Sequence, residues 1–276
     1  MFRLKKILFP VDFSQRSQGA SHFVEDMAGR FQASVVFLHV VGRREDVFFA
    51  PEFAGTSLLE QFEHHRANAN IAMAKYLAED FKHFDVQRLV LEGDPAETIV
   101  RYAAENAIDL IMMPSHGYGV FRRYILGSVT AKVLHDAACP VWTAAHMEEA
   151  PPLEAIEFKK VVCAVDLGPQ TDRALLWANA FATEHGAELI AFHSVAWEPL
   201  SLEARLRLEQ IMHRLGIHGR AEVRDGEPGK EASELAAAEG ADLIVVARGS
   251  AADGRGRLRT NAYAIIRESP CPIVSV

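Results

Sequence analysis

The stretch 114–128, which holds Ser115, His116, Gly117, Gly119, Arg122, Arg123, Gly127 and Ser128, is the part of this sequence best suited to chemistry. Glycine has no Cβ, so the backbone at Gly117, Gly119 and Gly127 can turn sharply and approach a ligand closely. Gly127-Ser128 opens a helical pattern. The amides of a first helical turn, a serine hydroxyl and the helix dipole all favour an anion there, a phosphate above all. Arg122 and Arg123 add positive charge, and His116 could donate to a phosphate, a loop contact rather than a catalytic role. On glycine placement alone, a glycine-rich turn with a serine cap and no ligand accounts for the pattern equally well.

A helix N-terminus meets a ligand only if a sheet brings it there. Aliphatic and β-branched runs near 7–11, 34–41, 88–92, 110–113 and 141–144 alternate with helical patterns near 15–30, 58–84, 96–106 and 129–137. That alternation predicts a parallel sheet with helical crossovers. Asp94-Pro95 reads as an N-cap followed by proline at the first helical position, and Ser128 reads as the N-cap of the last helix. Ligands of open parallel sheets bind beyond the carboxyl ends of the strands. Asp12 after the first strand, Val40 and Val41 at the end of the second, and Met113 at the end of the fourth therefore join Ser115, His116, Gly117, Gly127, Ser128 and Val129 as the candidate site.

The chain repeats itself. Lys5-Lys6-Ile7-Leu8-Phe9-Pro10-Val11-Asp12 recurs as Lys159-Lys160-Val161-Val162-Cys163-Ala164-Val165-Asp166, an offset of 154. Glu92-Gly93-Asp94-Pro95 answers to Asp225-Gly226-Glu227-Pro228, and Asp109-Leu110-Ile111-Met112 to Asp242-Leu243-Ile244-Val245, both at an offset of 133. Cys139-Pro140-Val141 matches Cys271-Pro272-Ile273. The second copy is thus 21 residues shorter between the first and second blocks, and a helix near 202–215, shorter than its counterpart, is expected to absorb most of the loss. The segment 147–154, with paired prolines and acids, reads as a linker between units at 1–147 and 155–276. At 276 residues, two cores are the natural expectation.

Bulk properties exclude several classes. A net charge of −8 lacks the basic face a general nucleic-acid binder needs. No apolar run is long enough to cross a bilayer or serve as a secretory signal, so the expected location is cytoplasmic, with no membrane partner. The three cysteines, Cys139, Cys163 and Cys271, lie far apart, which argues for a reducing compartment and against a disulfide framework. Cys139 and Cys271 read as buried, inert thiols. The twelve histidines show no metal-ligand spacing; His39 and His193 read as packed strand-end residues. Walker A, strand-linked GxGxxG and GxSxG sequences do not occur, so an efficient NTPase is not expected.

The strand ending in Val-Asp, the Gly-x-Pro turn at Gly93, the Asp-Leu-Ile strand and the Cys-Pro-Val ending resemble the universal stress protein family, twice over and along nearly the whole chain. The resemblance implies two doubly wound α/β units, each a five-stranded parallel sheet in the order 3-2-1-4-5 with helices on both faces. The ATP-binding branch of that family carries Gly-x-x-Gly, nine residues, then Gly-Ser or Gly-Thr. Gly117 and Gly127-Ser128 match that spacing, while the leading glycine is Pro114. By resemblance, Asp12 and the Val40 region would contact adenine or ribose, and Gly117, Gly127, Ser128 and Val129 the phosphates. The expected cofactor is ATP, with Mg as a possible companion, held as a regulatory ligand and turned over slowly at most. Proline offers no amide and fixes φ, so any contact through that amide is lost at Pro114. A protein-interaction module without nucleotide, and a slow ATPase or self-phosphorylating protein, are the competing readings.

The second copy departs further. With Gly249 opposite Gly117, Arg259-Thr260 takes the place of Gly127-Ser128; aligned on the strand, Ala247 replaces Pro114, Ser250 replaces Gly117 and Thr260-Asn261 falls opposite. Neither alignment restores the pattern. Arg248, Arg255, Arg257 and Arg259 read as a solvated basic loop. The aromatic stretch 47–57, with Phe48, Phe49 and Phe53, reads as packing. The final strand of each copy would be a sheet edge in need of a partner. The two copies could pair as an internal pseudo-dimer, and the whole chain could form a homodimer.

Overall fold

The computed structural model describes residues 2–42, 58–115, 126–143, 151–247 and 257–276. The first half runs β1 (Lys6–Pro10), α1 (Gln15–Phe31), β2 (Ser34–Val41), α2 (Leu58–Lys75), β3 (Val86–Glu92), α3 (Pro95–Glu105), β4 (Leu110–Met112), α4 (Ser128–Asp136) and β5 (Val141–Thr143). The second runs β6 (Lys160–Ala164), α5 (Thr171–His185), β7 (Glu188–Val195), α6 (Ser201–Arg214), β8 (Arg220–Asp225), α7 (Pro228–Glu239), β9 (Leu243–Val246), α8 (Arg257–Glu268) and β10 (Ile273–Ser275). All ten strands form one sheet in the order β3-β2-β1-β4-β5-β10-β9-β6-β7-β8. Each half therefore has the expected 3-2-1-4-5 order, with parallel pairing inside each half. The halves join through β5 and β10, which pair antiparallel with Val274 opposite Trp142. The two final strands are thus each other's edge cover, and the true edges of the sheet are β3 and β8.

Side chains alternate across the strands and build two apolar layers. Ile7, Phe9, Leu110, Met112, Trp142, Val161, Cys163 and Val274 face α1, α2, α5 and α6. Leu8, Ile111, Val141, Val162, Ile244 and Ile273 face α3, α4, α7 and α8. Both layers run across the β5–β10 seam. On the first face the seam is aromatic: Trp142 lies against Phe23, Phe158 and Phe181, and Phe2 against Phe31, Trp177 and Phe181. On the second face, the Tyr263 hydroxyl of α8 donates to the Ala131 carbonyl of α4 at 3.2 Å.

The repeated sequence blocks perform the same structural task in each half. The Asp109 carboxylate accepts from the amides of Lys5 (2.8 Å) and Lys6 (3.0 Å), tying the start of β4 to the start of β1. Asp242 does the same for Lys159 (2.7 Å) and Lys160 (2.9 Å). Gly93 sits at φ +142°, where a Cβ would lie 2.7 Å from Thr98 Oγ1, and its amide donates to Val41 O; Gly226 repeats this at φ +139°. Asp94 caps α3 as expected, accepting from Glu97 N at 2.9 Å with Pro95 at the first position.

Three expectations need correction. The N-cap of α4 is Gly127, and Ser128 is the first helical residue, so the serine side chain makes no cap bond. The 58–84 helical pattern ends at Lys75, followed by turns and a buried Phe81. The shortening of the second copy is not mainly in its helix. α6 has 14 residues against 18 in α2, while the connection preceding it shrinks from 42–57 to 196–200. A connection between elements tolerates deletion more readily than a helix that fills the core.

Candidate functional site

A cleft of about 340 Å³ opens at the carboxyl ends of β1, β2 and β4, where the strand order reverses. Of the candidate residues, Asp12, Val40, Met113, Gly127, Ser128 and Val129 line it. His116 and Gly117, with Gly119, Arg122 and Arg123, lie outside the described residues. Ser115 is buried beneath the rim.

The β1 side is built by a short polar turn. Phe13 takes a left-handed conformation (φ 61°), which turns the chain from β1 into α1 and aims Asp12 back at the helix start. Asp12 Oδ1 accepts from Ser14 N (3.0 Å), Ser14 Oγ (2.6 Å) and Ser17 Oγ (2.6 Å). Ser14 in turn caps α1, its hydroxyl oxygen accepting from Ser17 N at 3.2 Å. Among the described residues all three donors reach Oδ1 and none reaches Oδ2. Arg16, from the first turn of α1, also lines the cleft.

The β2 side exists because the strands differ in length. Pairing with β1 ends at Pro10 opposite Leu38, yet β2 continues to Val41. His39 fills the step: its Nδ1 bonds to Val11 O at 2.8 Å, and because a carbonyl only accepts, Nδ1 carries the proton. Its ring lies 4.5 Å from Phe13, centroid to centroid. His193 and Val165 O repeat the bond at 2.8 Å in the second half. Both histidines are the structural residues expected, although His39 also lines the cleft.

On the β4 side two bonds draw the ends of the intervening segment together. Gly127 N donates to Ser115 O at 2.9 Å, and Thr130 Oγ1 donates to Pro114 O at 3.1 Å. Pro114 is therefore anchored through its carbonyl, which a proline retains. The Gly127 amide is already used within the protein, donating to Ser115 O. The amides of Ser128, Val129 and Thr130 have no acceptor within the helix by their position in the first turn of α4. No side chain caps that turn. Together they form the anion-attracting part of the cleft. Lys132 points elsewhere, bridging Glu97 (2.9 Å) and Asp94 (3.5 Å) of α3, and its pKa is raised chiefly by the Glu97 hydrogen bond.

The corresponding cavity in the second half is about 90 Å³. Ser194 stands at the place of Val40 and spends its hydroxyl on Gly226 O at 2.6 Å; Ile265 and Pro228 close in from α8 and α7. Thr260-Asn261, aligned above with Gly127-Ser128, fall inside α8 rather than at its start; Arg257, its first residue, and Arg259 are helical rather than loop residues. Arg248, Gly249, Ser250 and Arg255 lie outside the described residues, as does the 47–57 aromatic stretch.

Sequence reasoning missed Arg16, Ser17, Ile99 and Thr130 as lining residues. The signal for Ser17 was available, since Asp-x-Ser-x-x-Ser after a strand is a cap with a second hydroxyl in reach of the carboxylate. Cys163 is fully buried, with its thiol pKa raised by desolvation. Cys139 and Cys271 are only half-buried, a correction to the buried reading, but burial still pushes Cys271 up to about 12 and keeps it unreactive. Among the described residues, no group of three or more His, Cys, Asp or Glu could hold a metal ion, and no helix is long and apolar enough to cross a membrane.

Fold and site together define a tandem doubly wound α/β protein with a ligand-sized cleft at the switch point of its first half. The profile described as the Universal stress protein family matches residues 3–144, 157–214 and 196–276, and the chain belongs to that family. Universal stress protein MJ0577 of Methanocaldococcus jannaschii is 34% identical over 149 residues, covering 50% of this chain and 92% of the relative. A universal stress protein of Thermus aquaticus is 32% identical over 139 residues, covering 50% of this chain and 96% of the relative. The crystal structure of a universal stress protein from Archaeoglobus fulgidus shares the fold across both halves, with a TM-score of 0.74 at 23% identity, covering 99% of this chain and 98% of that one.

Proposed function

We propose that this universal stress protein binds ATP, with or without Mg, in the first-half cleft and uses it as a regulatory ligand. The observation that carries this reading is the contrast between the halves: a cleft of about 340 Å³ beside the uncapped first turn of α4, against about 90 Å³ in the second half. The adenosine would lie between Asp12 and Val40, its ribose hydroxyls toward Asp12 Oδ2, and the phosphates at the amides of Ser128, Val129 and Thr130. Met113, Ser115, His116 and Gly117 belong to the same proposed site. Within the described cleft Asp12 Oδ1 is engaged by Ser14 and Ser17 and His39 Nδ1 by Val11 O, which favours a held nucleotide over a turned-over one, and the proposed turnover is slow at most. In this proposal the units are 1–147 and 155–276, the second serving as a structural partner through β5–β10; the chain is cytoplasmic and forms a homodimer.

One specific observation favours a second reading, a protein-interaction module without nucleotide. Pro114 offers no amide and the Gly127 amide already donates to Ser115 O, so two donors of the loop are unavailable. The experiment that decides is the nucleotide content of denatured, purified protein, followed by calorimetric titration with ATP and Mg. About one ATP per chain, lost in Gly127→Arg, is expected. No released nucleotide and no heat at millimolar ATP would leave the interaction module as the reading, and phosphate release above a buffer blank would instead identify a slow ATPase.

A further inference from the structure

β8 ends the sheet, and its open side is defined by the ladder it makes with β7. Val195 lies beside Asp225 in that ladder, and Gly226 N donates to Val195 O at 2.9 Å. In a parallel pair, residues that bond the neighbouring strand alternate with residues that do not. Arg220, Glu222 and Arg224 therefore bond β7, and Ala221, Val223 and Asp225 turn their amides and carbonyls to the open side. Ala221 O accepts from Arg205 Nη2 of α6 at 3.0 Å. An edge guarded against its own kind carries like charges, lysines or proline. β8 instead carries Glu222 and Arg224 on one face, 3.6 Å apart from Oε1 to Nε.

We propose that β8 pairs antiparallel with β8 of a second copy of this chain, about a two-fold axis at Val223, joining two ten-stranded sheets edge to edge. The register follows from backbone and charge. An antiparallel ladder sets outward-facing residues of the two strands opposite one another. An axis at Glu222, Arg224 or Asp225 would face like charges. One at Ala221 would leave Val223, Arg224 and Asp225 opposite residues that precede the strand. With the axis at Val223, Glu222 stands opposite Arg224 of the second copy, and Arg224 opposite its Glu222. These are non-hydrogen-bonded pairs, the closer kind, with Cα atoms about 4.5 Å apart. With the 3.6 Å pair inside each strand they form a square of alternating charge. On the other face, Asp225 of the second copy comes beside Ala221, where the Arg205 guanidinium, also 3.6 Å from Glu209, supplies a cation. Arg220 is already held by Glu239 and Glu188.

At the opposite edge of the sheet the charges are spent within the chain. On β3, Arg88 donates to Tyr76 O (3.3 Å) and Leu77 O (3.5 Å) and lies over the Phe37 ring, and Glu92 is paired with Arg66 at 3.1 Å. A strand of unrelated sequence would satisfy the β8 backbone, but the reversed β8 strand also meets Glu222 and Arg224 together. This pairing supplies an interface for the homodimer proposed above and rests on that reading. It is independent of nucleotide, because β8 shares no residue with the first-half cleft.

Analytical ultracentrifugation of the full chain tests this pairing, with circular dichroism melts as the check on folding. A pair of six-residue strands is a small interface, so a reversible dimer is expected, populated by about 1 mM chain. Glu222→Arg and Arg224→Glu each turn both cross-strand pairs into repulsions, and each should weaken the dimer at least about tenfold. Mixed in equal amounts, the two variants should dimerise with each other, because each then supplies the charge the other lacks. Val223→Pro removes an amide that β7 does not use and should leave a folded monomer. A dimer that persists in both single reversals, or a mixture no more dimeric than its components, overturns this interface while the homodimer stands. A parent chain that stays monomeric at about 1 mM overturns the interface and the homodimer together.

Discussion

Asp12 is called upon twice, once by the fold and once by the proposed ligand, and substitutions can separate the two demands. Its Oδ1 holds Ser14 N, Ser14 Oγ and Ser17 Oγ at 2.6–3.0 Å, fixing both the left-handed turn at Phe13 and the cap of α1. Hydrogen bonds to a charged group contribute about 1.5–3 kcal/mol each when buried, and about half that at a half-exposed cleft edge. Asp12→Ala removes all three. Because water can reach the orphaned donors, the loss should be about 3 kcal/mol, and it should fall mainly on the start of α1. Asp12→Asn keeps an acceptor oxygen at the Oδ1 position and should cost less than about 1 kcal/mol, while it removes the charge from the Oδ2 side. Urea denaturation followed by circular dichroism measures the first effect, and calorimetric titration with ATP measures the second. Asn should retain the fold and lose most of the affinity, whereas Ala should lose both. If Ala costs under about 1 kcal/mol, the carboxylate does not set the turn. If Asn binds ATP like the parent chain, Oδ2 does not meet the ribose.

Trp142 occupies the seam between the halves, fully buried among Phe23, Phe158 and Phe181, so Trp142→Ala should cost about 3–5 kcal/mol in urea denaturation; a single unchanged transition would show that the seam contributes little. His185 stacks on Phe181 at 4.1 Å with its Nε2 buried and unpartnered, and burial lowers its pKa from 6.5. A lowered folded-state value means that the unfolded chain binds the proton first, so this contribution to stability is present above pH 6.5 and declines as the pH falls below it. Asp26, whose pKa burial raises, acts in the opposite sense at lower pH. His185→Phe should flatten the decline in urea midpoint just below pH 6.5, and a profile identical to the parent's would refute the assignment.

Much of the architecture is legible as local pattern. The alternation of aliphatic runs with helical periods marks the strands, and Asp94-Pro95 marks a helix start, because a cap and a missing amide act within one turn of backbone. The cleft was legible in outline, since Asp12 follows the end of β1, Val40 lies near the end of β2 and Gly127 opens α4, and the strand order brings these places together. Whether Gly127 or Ser128 would be the cap was not legible. It depends on the Gly127 amide reaching Ser115 O, a bond across an intervening segment that no periodicity encodes.

What the sequence determined by itself is the duplication, the doubly wound class and the divergence of the second copy, because repeated blocks and motif glycines are properties of residue order. The joining of the halves was decided by the tertiary structure. An edge strand needs a partner, but nothing local in Val141–Thr143 or Ile273–Ser275 says which one. Each of the two has an exposed ladder, and pairing them satisfies both while the aromatic side chains of Phe2, Trp142, Phe158 and Phe181 close over one face of the seam. The unequal clefts were decided the same way. The cavities of about 340 and 90 Å³ are each lined from several strands and helices at once, so their sizes are set by packing and by no single motif.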